Sequence, residues 1–278
     1  MTANESYRVL CRELERISDS PSFEAFELLA GCAGISRTQV LTGSLELSGE
    51  QVQTIDAALL RRLNGEPLQY ILGEWTFYGR PFSVGGGVLI PRADTETLVE
   101  AALSLASAIE RPHIADLCAG SGCIAVTLAR ELPGASVDAF EKSEAAFSYL
   151  TRNIARHGAA VRPFLFDVCA SSAGLYDMIV SNPPYLSGED MAHLQREVSF
   201  EPQMALAGGA DGLDFYRIIT QRWKINLKEG GILLYEVGAG QWEAVSAILA
   251  ENGFADICTW RDLCGIIRVI GGTKVPDV

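Results

Sequence analysis

The chain has 278 residues, of which 48% are apolar and 21% charged, enough for one large domain or two modest ones. A formal net charge of −13 disfavours non-specific electrostatic binding to the phosphate backbone of a nucleic acid, so we expect no direct nucleic-acid binding. The seven cysteines form no C-x-x-C pair and the three histidines are dispersed, so neither a disulfide framework nor a metal site is expected.

The N-terminal stretch MTANESYRVLCRELERI lacks the basic and apolar regions of a signal peptide, and no apolar run reaches spanning length. We therefore expect a cytoplasmic protein that does not bind membranes.

Residues 1–64 are predicted to form a small helical bundle. Apolar residues recur at helical spacing, and Ser48 with Gln51 has the spacing of a capping box. Ser20 or Ser22 is predicted to cap an earlier helix. Because no cluster of reactive side chains falls here, we expect this domain to position a substrate or partner.

Residues 65–90 are predicted to form a linker with a β-hairpin, because aromatic, glycine and β-branched residues are mixed there. Residues 91–278 are predicted to form an α/β domain in which a helix opens near Thr95. Strand-like segments then alternate with helices, which indicates a doubly wound, mostly parallel, Rossmann-like sheet of seven strands. A short turn between the last two segments predicts an antiparallel final pair. The seven segments are His113–Cys118, Ser136–Glu141, Val161–Asp167, Asp177–Ser181, Gly231–Val237, Ala255–Arg261 and Gly265–Ile270.

The segment HIADLCAGSGCIAVTLA joins the first of these strands to a helix and satisfies the loose pattern G-x-G-x-x-G/A. Glu141 follows Gly120 by 21 residues, where a carboxylate can accept hydrogen bonds from ribose hydroxyls. The pattern fits a nicotinamide dinucleotide or S-adenosylmethionine. Asp116 favours S-adenosylmethionine, because an acid is unfavourable beside pyrophosphate and tolerable near an ammonium group.

Two further positions follow predicted strands. Asp167 could accept from the exocyclic amine of an adenine or could cap the segment after it. Asn182 opens the sequence Asn-Pro-Pro-Tyr at the carboxyl end of the fourth strand, where open α/β sheets bind ligands. Its side-chain oxygen and the carbonyl of Pro183 could hold the two N–H groups of a planar amide or base, and Tyr185 could lie flat against it.

The glycine loop and the Asn-Pro-Pro-Tyr turn resemble class I methyltransferases that modify planar –NH2 groups. Further blocks resemble the peptide chain release factor glutamine N5-methyltransferases, the PrmC/HemK family, over nearly all of residues 60–270. These blocks are GEPLQYILGEWTFYG, VLIPRADTETLVE, FEPQMALAGGADGLDFYRII, GGILLYEVGAGQ and RDLCGIIRVI.

The resemblance implies S-adenosylmethionine as cofactor and the glutamine of the Gly-Gly-Gln tip of class I release factors as substrate. It places the cofactor at Cys118, Ala119, Gly120, Ser121, Gly122, Glu141, Asp167, Val168 and Asn182. It places the catalytic residues at Asn182, Pro183 and Tyr185, and the substrate at Asn182, Pro183, Pro184 and Tyr185.

The chain departs from the family pattern at two positions. Cys118 stands where glycine is common, and we expect a φ that an L-residue can adopt and no loss of cofactor binding. Ala93 replaces a proline, which leaves the roles of Arg92 and Glu96 open; we favour a salt bridge and a first-turn helix acid.

Two other functions fit part of the pattern. An adenine-N6 DNA or RNA methyltransferase could use the same turn on a flipped base, but it would need a basic recognition segment. A nucleoside-binding regulator or dinucleotide oxidoreductase could use the glycine loop alone.

Overall fold

The computed structural model describes residues 1–43, 45–170 and 174–276. The chain divides into two compact units, the first comprising Met1–Glu74 and Gln195–Phe200, the second Trp75–Leu194 and Glu201–Val278. Among the described residues, no helix is long and apolar enough to cross a membrane.

The first unit is helical, as the apolar spacing predicts. Side chains cap three of its helices in complete capping boxes, including the predicted pair Ser48 and Gln51. Ser20 precedes the second helix, whose first residue is Pro21, and makes no side-chain capping bond. The helices are α1 (Ala3–Leu14), α2 (Pro21–Ala33), α3 (Arg37–Thr42), α4 (Gly49–Leu63) and α5 (Leu68–Leu72).

A buried ion cluster ties the distant segment Gln195–Phe200 to these helices. The guanidinium group of Arg62 is buried and donates to both oxygens of Glu24, at 2.6 and 3.0 Å, and to Glu197. Its neighbour Arg61 pairs with Glu66. Both members of the adjacent arginine pair are therefore engaged within this unit.

The linker predicted over residues 65–90 is divided between the two units, since the first unit extends to Glu74 and includes α5. The hairpin consists of β1 (Glu74–Phe77) and β2 (Arg80–Ser83). Leu68 and Tyr70 of α5 are buried. This part of the segment is therefore a packed helix and not an exposed linker.

The second unit contains a seven-stranded sheet in the order β5-β4-β3-β6-β7-β9-β8. All pairs are parallel except β7 with β9 and β8 with β9, so the predicted sheet and its antiparallel final pair are confirmed. The strands are β3 (His113–Leu117), β4 (Ser136–Glu141), β5 (Val161–Leu165), β6 (Tyr176–Ser181), β7 (Leu227–Glu236), β8 (Phe254–Arg261) and β9 (Ile267–Lys274).

Four predicted strand boundaries are wrong by two residues or more; one of them is the end of β9, which lies at Lys274 where Ile270 was predicted. β5 ends at Leu165, before Asp167, and β7 begins at Leu227. Gly265, predicted to open the last strand, has φ +81° in the turn before β9. The Oδ1 atom of Asp262 accepts the backbone N–H groups of Cys264 and Ile266 and closes this turn.

Helices cover both faces of the sheet. Side chains of α6, α7 and α8 form one apolar cluster with alternate strand residues such as Ile114, and α10 and α11 form the other with residues such as Leu117. The strand order reverses between β3 and β6, and a crevice for ligands opens there at the carboxyl ends of the strands. The helices are α6 (Glu96–Ala106), α7 (Cys123–Glu131), α8 (Glu144–His157), α9 (Gly188–Ala192), α10 (Asp214–Trp223) and α11 (Trp242–Glu251).

Candidate active site

A cavity of about 250 Å³ lies at the carboxyl ends of the parallel strands of the second unit. Its wall contains most residues that the sequence assigns to a cofactor, from the loops after β3, β4 and β5, together with Asn182 and Pro184 after β6. The predicted residues on the wall are Cys118, Ala119, Gly120, Ser121, Glu141, Asp167, Val168, Asn182 and Pro184.

The glycine loop after β3 follows a path that brings its backbone to the cavity. Gly120 and Gly122 have φ values of +55° and +80°. A Cβ added at Gly120 would meet no atom within 4 Å, whereas one at Gly122 would lie 2.5 Å from the side chain of Leu150. Gly120 therefore leaves open space for a ligand, and Gly122 permits close packing against α8.

Cys118 has a φ of +62°, in the left-handed region that favours glycine. The predicted φ was one that an L-residue can adopt, and a side chain does occupy it, but at a cost of about 1–2 kcal/mol. Burial raises the pKa of its thiol well above the ordinary value, so the group is a neutral wall of the cavity.

Glu141 ends β4 and holds the glycine loop from the neighbouring strand. Its Oε2 accepts the backbone N–H of Gly120 at 2.8 Å, and its Oε1 accepts that of Ser143 at 2.7 Å. Each carboxylate oxygen has more than one lone pair, so acceptor capacity remains toward the cavity. The carboxylate thus fixes the loop and can still bond to vicinal hydroxyls.

Asp116 lies beneath the loop and is fully buried. Its Oδ2 accepts the N–H of Ala125 at 3.0 Å, while Oδ1 has no hydrogen-bond partner among the described residues. Burial raises its pKa to about 8, so the acid is mainly neutral at pH 7 and offers little charge to an ammonium group. Asp116 therefore gives little electrostatic preference between the two cofactors.

Asp167 lies two residues beyond β5 and shows the capping interaction that was one of its two predicted roles. Its Oδ1 accepts the N–H of Cys169 at 2.9 Å, and its Oδ2 is 2.8 Å from the ammonium of Lys142, which holds the pKa of the acid below its usual value. The neighbouring Val168 is buried, and its carbonyl accepts the indole N–H of Trp223. The adenine contact of Asp167 stays a prediction.

The Asn-Pro-Pro-Tyr turn begins where β6 ends. The hydroxyl of Ser181 donates to the carbonyl of Leu117 at 2.8 Å, which joins the ends of β6 and β3. Asn182 is half-buried and donates from Nδ2 to the hydroxyl of Thr95 at 3.3 Å. Pro183 and Tyr185 are not among the described wall residues of the cavity, so only Asn182 and Pro184 of the tetrapeptide reach it there.

Two glycine-containing loops support the turn, one before α10 and one after β7. The side chain of Gln241 donates to the backbone carbonyl of Tyr185 at 2.9 Å. A Cβ at Gly208 would lie 2.7 Å from both the carbonyl oxygen of Pro184 and the Cα of Tyr185. Because these neighbours are backbone atoms, no side-chain movement can relieve the contact.

We therefore expect Gly208→Ala to displace the turn and to lower the free energy of unfolding by about 1–3 kcal/mol. Gly188→Ala is the matched control, since its Cβ would meet nothing closer than 3.9 Å and its φ is not positive. Thermal unfolding of both variants checks this, and equal effects of the two substitutions would contradict it.

Glu236, an acid that the sequence analysis did not identify, lies beside the Asn-Pro-Pro-Tyr turn. Glu236 is the last residue of β7, and its side chain is buried next to Thr95 and Asn182. An acid at the end of an apolar strand, level with Asn182, was the signal that could have identified it. Burial raises its pKa to about 7.

Arg92 and Glu96 have the structural roles that were favoured for them. Arg92 pairs with Glu201, whose Oε2 also accepts the N–H of Ile90 at 3.0 Å. Glu96 is the first residue of α6 and accepts the N–H of Tyr78 at 2.7 Å. Arg92 also reaches the cavity wall, and Ala93 begins a short 3-10 turn that leads into α6.

The chain is similar to known proteins over nearly its whole length. Residues 7–73 match the family model described as the PrmC N-terminal domain, and residues 94–205 match the methyltransferase small domain. The release factor glutamine methyltransferase of Geobacter sulfurreducens is 42% identical over 266 residues, covering 93% of this chain and 91% of that protein. The proteins of the same description from Neisseria gonorrhoeae (44% over 260 residues, 92% and 94%) and Koribacter versatilis (38% over 280 residues, 99% and 99%) are also similar.

Two solved structures share the fold. The catalytic domain of hMettl16, in complex with the MAT2A 3'UTR hairpin 1, has a TM-score of 0.55 at 16% identity and covers 85% of this chain and 87% of that one. A methyltransferase from Pyrococcus furiosus has a TM-score of 0.53 at 16% identity, with 80% and 98% covered.

Proposed function

The chain belongs to the release factor glutamine methyltransferase family, and we propose that it methylates the side-chain amide nitrogen of the glutamine in the Gly-Gly-Gln motif of class I peptide chain release factors. Its resemblance to this family is confirmed by relatives at 38–44% identity over at least nine-tenths of the chain. The observation that carries the proposal is the meeting of Glu141 and Asn182 on the wall of one cavity.

We propose S-adenosylmethionine as the methyl donor, and the cavity fits it. The open space at Gly120 admits a ligand against the backbone, and Glu141 has acceptor capacity left for ribose hydroxyls. Phe140, Phe166 and Ile124 add apolar wall. When bound, S-adenosylmethionine would supply an electrophilic methyl group on a positively charged sulfur. The amide nitrogen would receive this methyl group, the carbon–sulfur electron pair would stay on sulfur, and the nitrogen would lose a proton to water.

The proposed work of the turn is to orient a poor nucleophile. An amide nitrogen has a delocalised lone pair, so it reacts only when its –NH2 group is held with the lone pair toward the methyl carbon. Asn182 Oδ1 and the carbonyl of Pro183 accept its two N–H groups, and the proline rings keep these acceptors rigid. Orientation and the placement of acceptors supply the rate enhancement, and no strong base is required.

We propose that the helical unit and the acidic surface serve the protein substrate. A net charge of −13 favours association with a basic partner. The segment Gln195–Phe200 follows the Asn-Pro-Pro-Tyr turn in the chain and belongs to the helical unit, where Glu197 bonds to Arg62. Because the chain runs from the turn into this segment of the helical unit, we infer that the helices help to position the release factor. Translation termination takes place in the cytoplasm, so we expect the reaction there.

The test is incubation of the full chain with methyl-labelled S-adenosylmethionine and purified class I release factor. Label on the glutamine, located by mass spectrometry, is expected, and none is expected on a factor with Gln→Ala in the motif. Label that survives that substitution would refute the proposed acceptor.

The other functions require their own controls. An adenine-N6 methyltransferase would transfer label to tRNA or duplex DNA and bind them with a steep salt dependence. A dinucleotide oxidoreductase would bind NADH and not S-adenosylmethionine in calorimetry. Either result would replace the proposed function.

A further inference from the structure

The carboxyl group of Glu236 is buried beside the Asn-Pro-Pro-Tyr turn with incomplete hydrogen bonding. The residue is 2% exposed, and its Oε2 has no hydrogen-bond partner among the described residues. The side chains of Thr95 and Asn182 interact with the carboxyl group and favour its charged form. Thr95 is also 2% exposed, so water does not replace these contacts. A buried acid of this kind lowers stability, which points to a role beyond packing.

The side chain of Asn182 needs to be held in one of two orientations of nearly the same shape. A rotation of 180° about the last side-chain bond exchanges its oxygen and its –NH2 group. In one orientation the Asn182 oxygen can accept a hydrogen bond from a substrate amide. In the other, the –NH2 group of Asn182 would face the –NH2 group of the substrate, and no hydrogen bond could form. The hydroxyl of Thr95 does not decide between them by itself, because it can donate or accept.

An ionised carboxylate removes this ambiguity because it only accepts. It accepts the hydrogen bond that the Thr95 hydroxyl donates. The hydroxyl oxygen then accepts from Asn182, whose Nδ2 lies 3.3 Å away. The same carboxylate attracts the –NH2 group of Asn182 directly. Both effects turn Asn182 Nδ2 toward Thr95 and Glu236 and leave Oδ1 for the acceptor.

We propose that Glu236 is a positioning residue for methyl transfer: through Thr95, its carboxylate fixes the side-chain orientation in which the Asn182 oxygen binds the substrate amide. This inference rests on the proposed function and adds the group that sets the catalytic orientation of Asn182.

Protonation of Glu236 removes the effect. The neutral acid has an O–H donor that can bond to the Asn182 oxygen and stabilise the reversed orientation. Because burial raises the pKa to about 7, the active orientation is lost as the pH falls through about 7. Arg268 favours the charged form and Asp94 opposes it. Tyr185, Tyr216 and Cys123 also face Glu236; burial raises the pKa of Tyr185 and Cys123 to about 12 and that of Tyr216 well above its ordinary value.

The main variant is Glu236→Gln, because glutamine has the same shape but carries an –NH2 donor. At pH 8, we expect kcat to fall at least about tenfold, with KM for release factor and Kd for S-adenosylmethionine changed by less than about twofold. The variant should be as stable as the wild type or more stable, because the fold disfavours the charged form of this acid and pH 8 imposes it. Glu229→Gln is the matched control on the exposed part of the same strand, and it should retain wild-type turnover.

A second readout does not depend on the substrate. The chain has six asparagines, so selective ¹⁵N-asparagine labelling gives few side-chain amide signals, and Asn182→Ala assigns the one of interest. We expect the Asn182 signals to titrate near pH 7 in the wild type and to lose that titration in Glu236→Gln. This site-specific signal is needed because the pKa of Asp116 is about 8, so an activity profile alone would mix the two acids. Thr95→Val, which lacks the hydroxyl, should shift the same signals.

The outcomes separate this inference from the proposed function. If the wild type does not label the release factor, the proposed function fails and the amide signals alone decide whether Glu236 orients Asn182. If labelling succeeds but Glu236→Gln keeps wild-type kcat at pH 8, or the Asn182 signals do not respond to Glu236, the positioning role is overturned.

Discussion

Replacement of Asn182 by alanine is expected to lower kcat for release factor methylation about 100- to 1000-fold, the loss typical when one preorganised hydrogen-bonding group is removed from an active site. The substitution removes the proposed acceptor of one substrate N–H. Cofactor binding should change little, because the proposed contacts of the ribose lie at Glu141 on a different strand. Single-turnover rates with labelled cofactor and calorimetric Kd values separate the two effects.

The loss should not come from unfolding. Asn182 contributes one 3.3 Å hydrogen bond to Thr95, worth about 1 kcal/mol or less. Asn252→Ala is a suitable control, since it also removes a side-chain hydrogen bond, from Nδ2 to the carbonyl of Ile248, at the C-terminal end of α11. Near-normal turnover in Asn182→Ala would refute the acceptor-orienting role of this residue, whatever its effect on stability.

The fold could be predicted from sequence because its signals are local. Apolar runs separated by helical patterns gave the seven strands, and a short turn before the last strand gave the antiparallel pair. The errors lie at ends, where local pattern and tertiary contact compete. Gly265 continues an apolar segment in sequence, but hydrogen bonds to Asp262 make it part of a turn. Asp167 follows the apolar residues 164–166, but β5 ends at Leu165, and the Asp167 side chain accepts the backbone N–H of Cys169 in the turn beyond it.

The site was predictable only where its residues follow strand ends. Gly120, Glu141 and Asn182 could be placed together because the carboxyl ends of parallel strands share one edge of a sheet. Residues that do not follow a strand end cannot be assigned to the site by this rule. Gly208 supports the turn through a contact with Pro184, 24 positions away in the chain, and no local pattern indicates that proximity.

Glu236 was missed for a different reason. In the sequence it is an acid at the end of an apolar segment, and nothing in that pattern shows which groups its carboxyl faces. Its significance depends on burial and on the contacts with Thr95 and Asn182, which only the folded chain reveals.

The structure also gives Glu141 a second role that its spacing from Gly120 did not indicate. The sequence predicts a carboxylate whose oxygens are both available to accept from ribose hydroxyls. In the fold, both of its oxygens already accept backbone N–H groups, from Gly120 and Ser143, and so join the glycine loop to the start of α8. A substitution there must therefore change the shape of the binding loop as well as its contacts.

Glu141→Ala is accordingly expected to weaken S-adenosylmethionine binding about 10- to 100-fold, since hydrogen bonds to charged groups are worth about 1.5–3 kcal/mol each and 1.4 kcal/mol is a tenfold change in Kd. At saturating cofactor, kcat should fall much less than in Asn182→Ala, because the acceptor-orienting turn is intact. The free energy of unfolding should also decrease by about 1–3 kcal/mol, because the N–H groups of Gly120 and Ser143 lose their partner.

Glu141→Gln distinguishes the two roles of the carboxylate. Its amide oxygen can still accept one of the two backbone N–H groups, so part of the support of the loop is retained. Its –NH2 group is a donor and faces the other N–H group. The variant therefore lacks the acceptors that two ribose hydroxyls need. We expect this variant to be more stable than Glu141→Ala and yet to bind cofactor nearly as weakly. Glu110→Ala, which removes an exposed acid, is the control for loss of charge. If Glu141→Ala binds S-adenosylmethionine as tightly as this control, Glu141 is a structural residue of the loop and the ribose lies elsewhere.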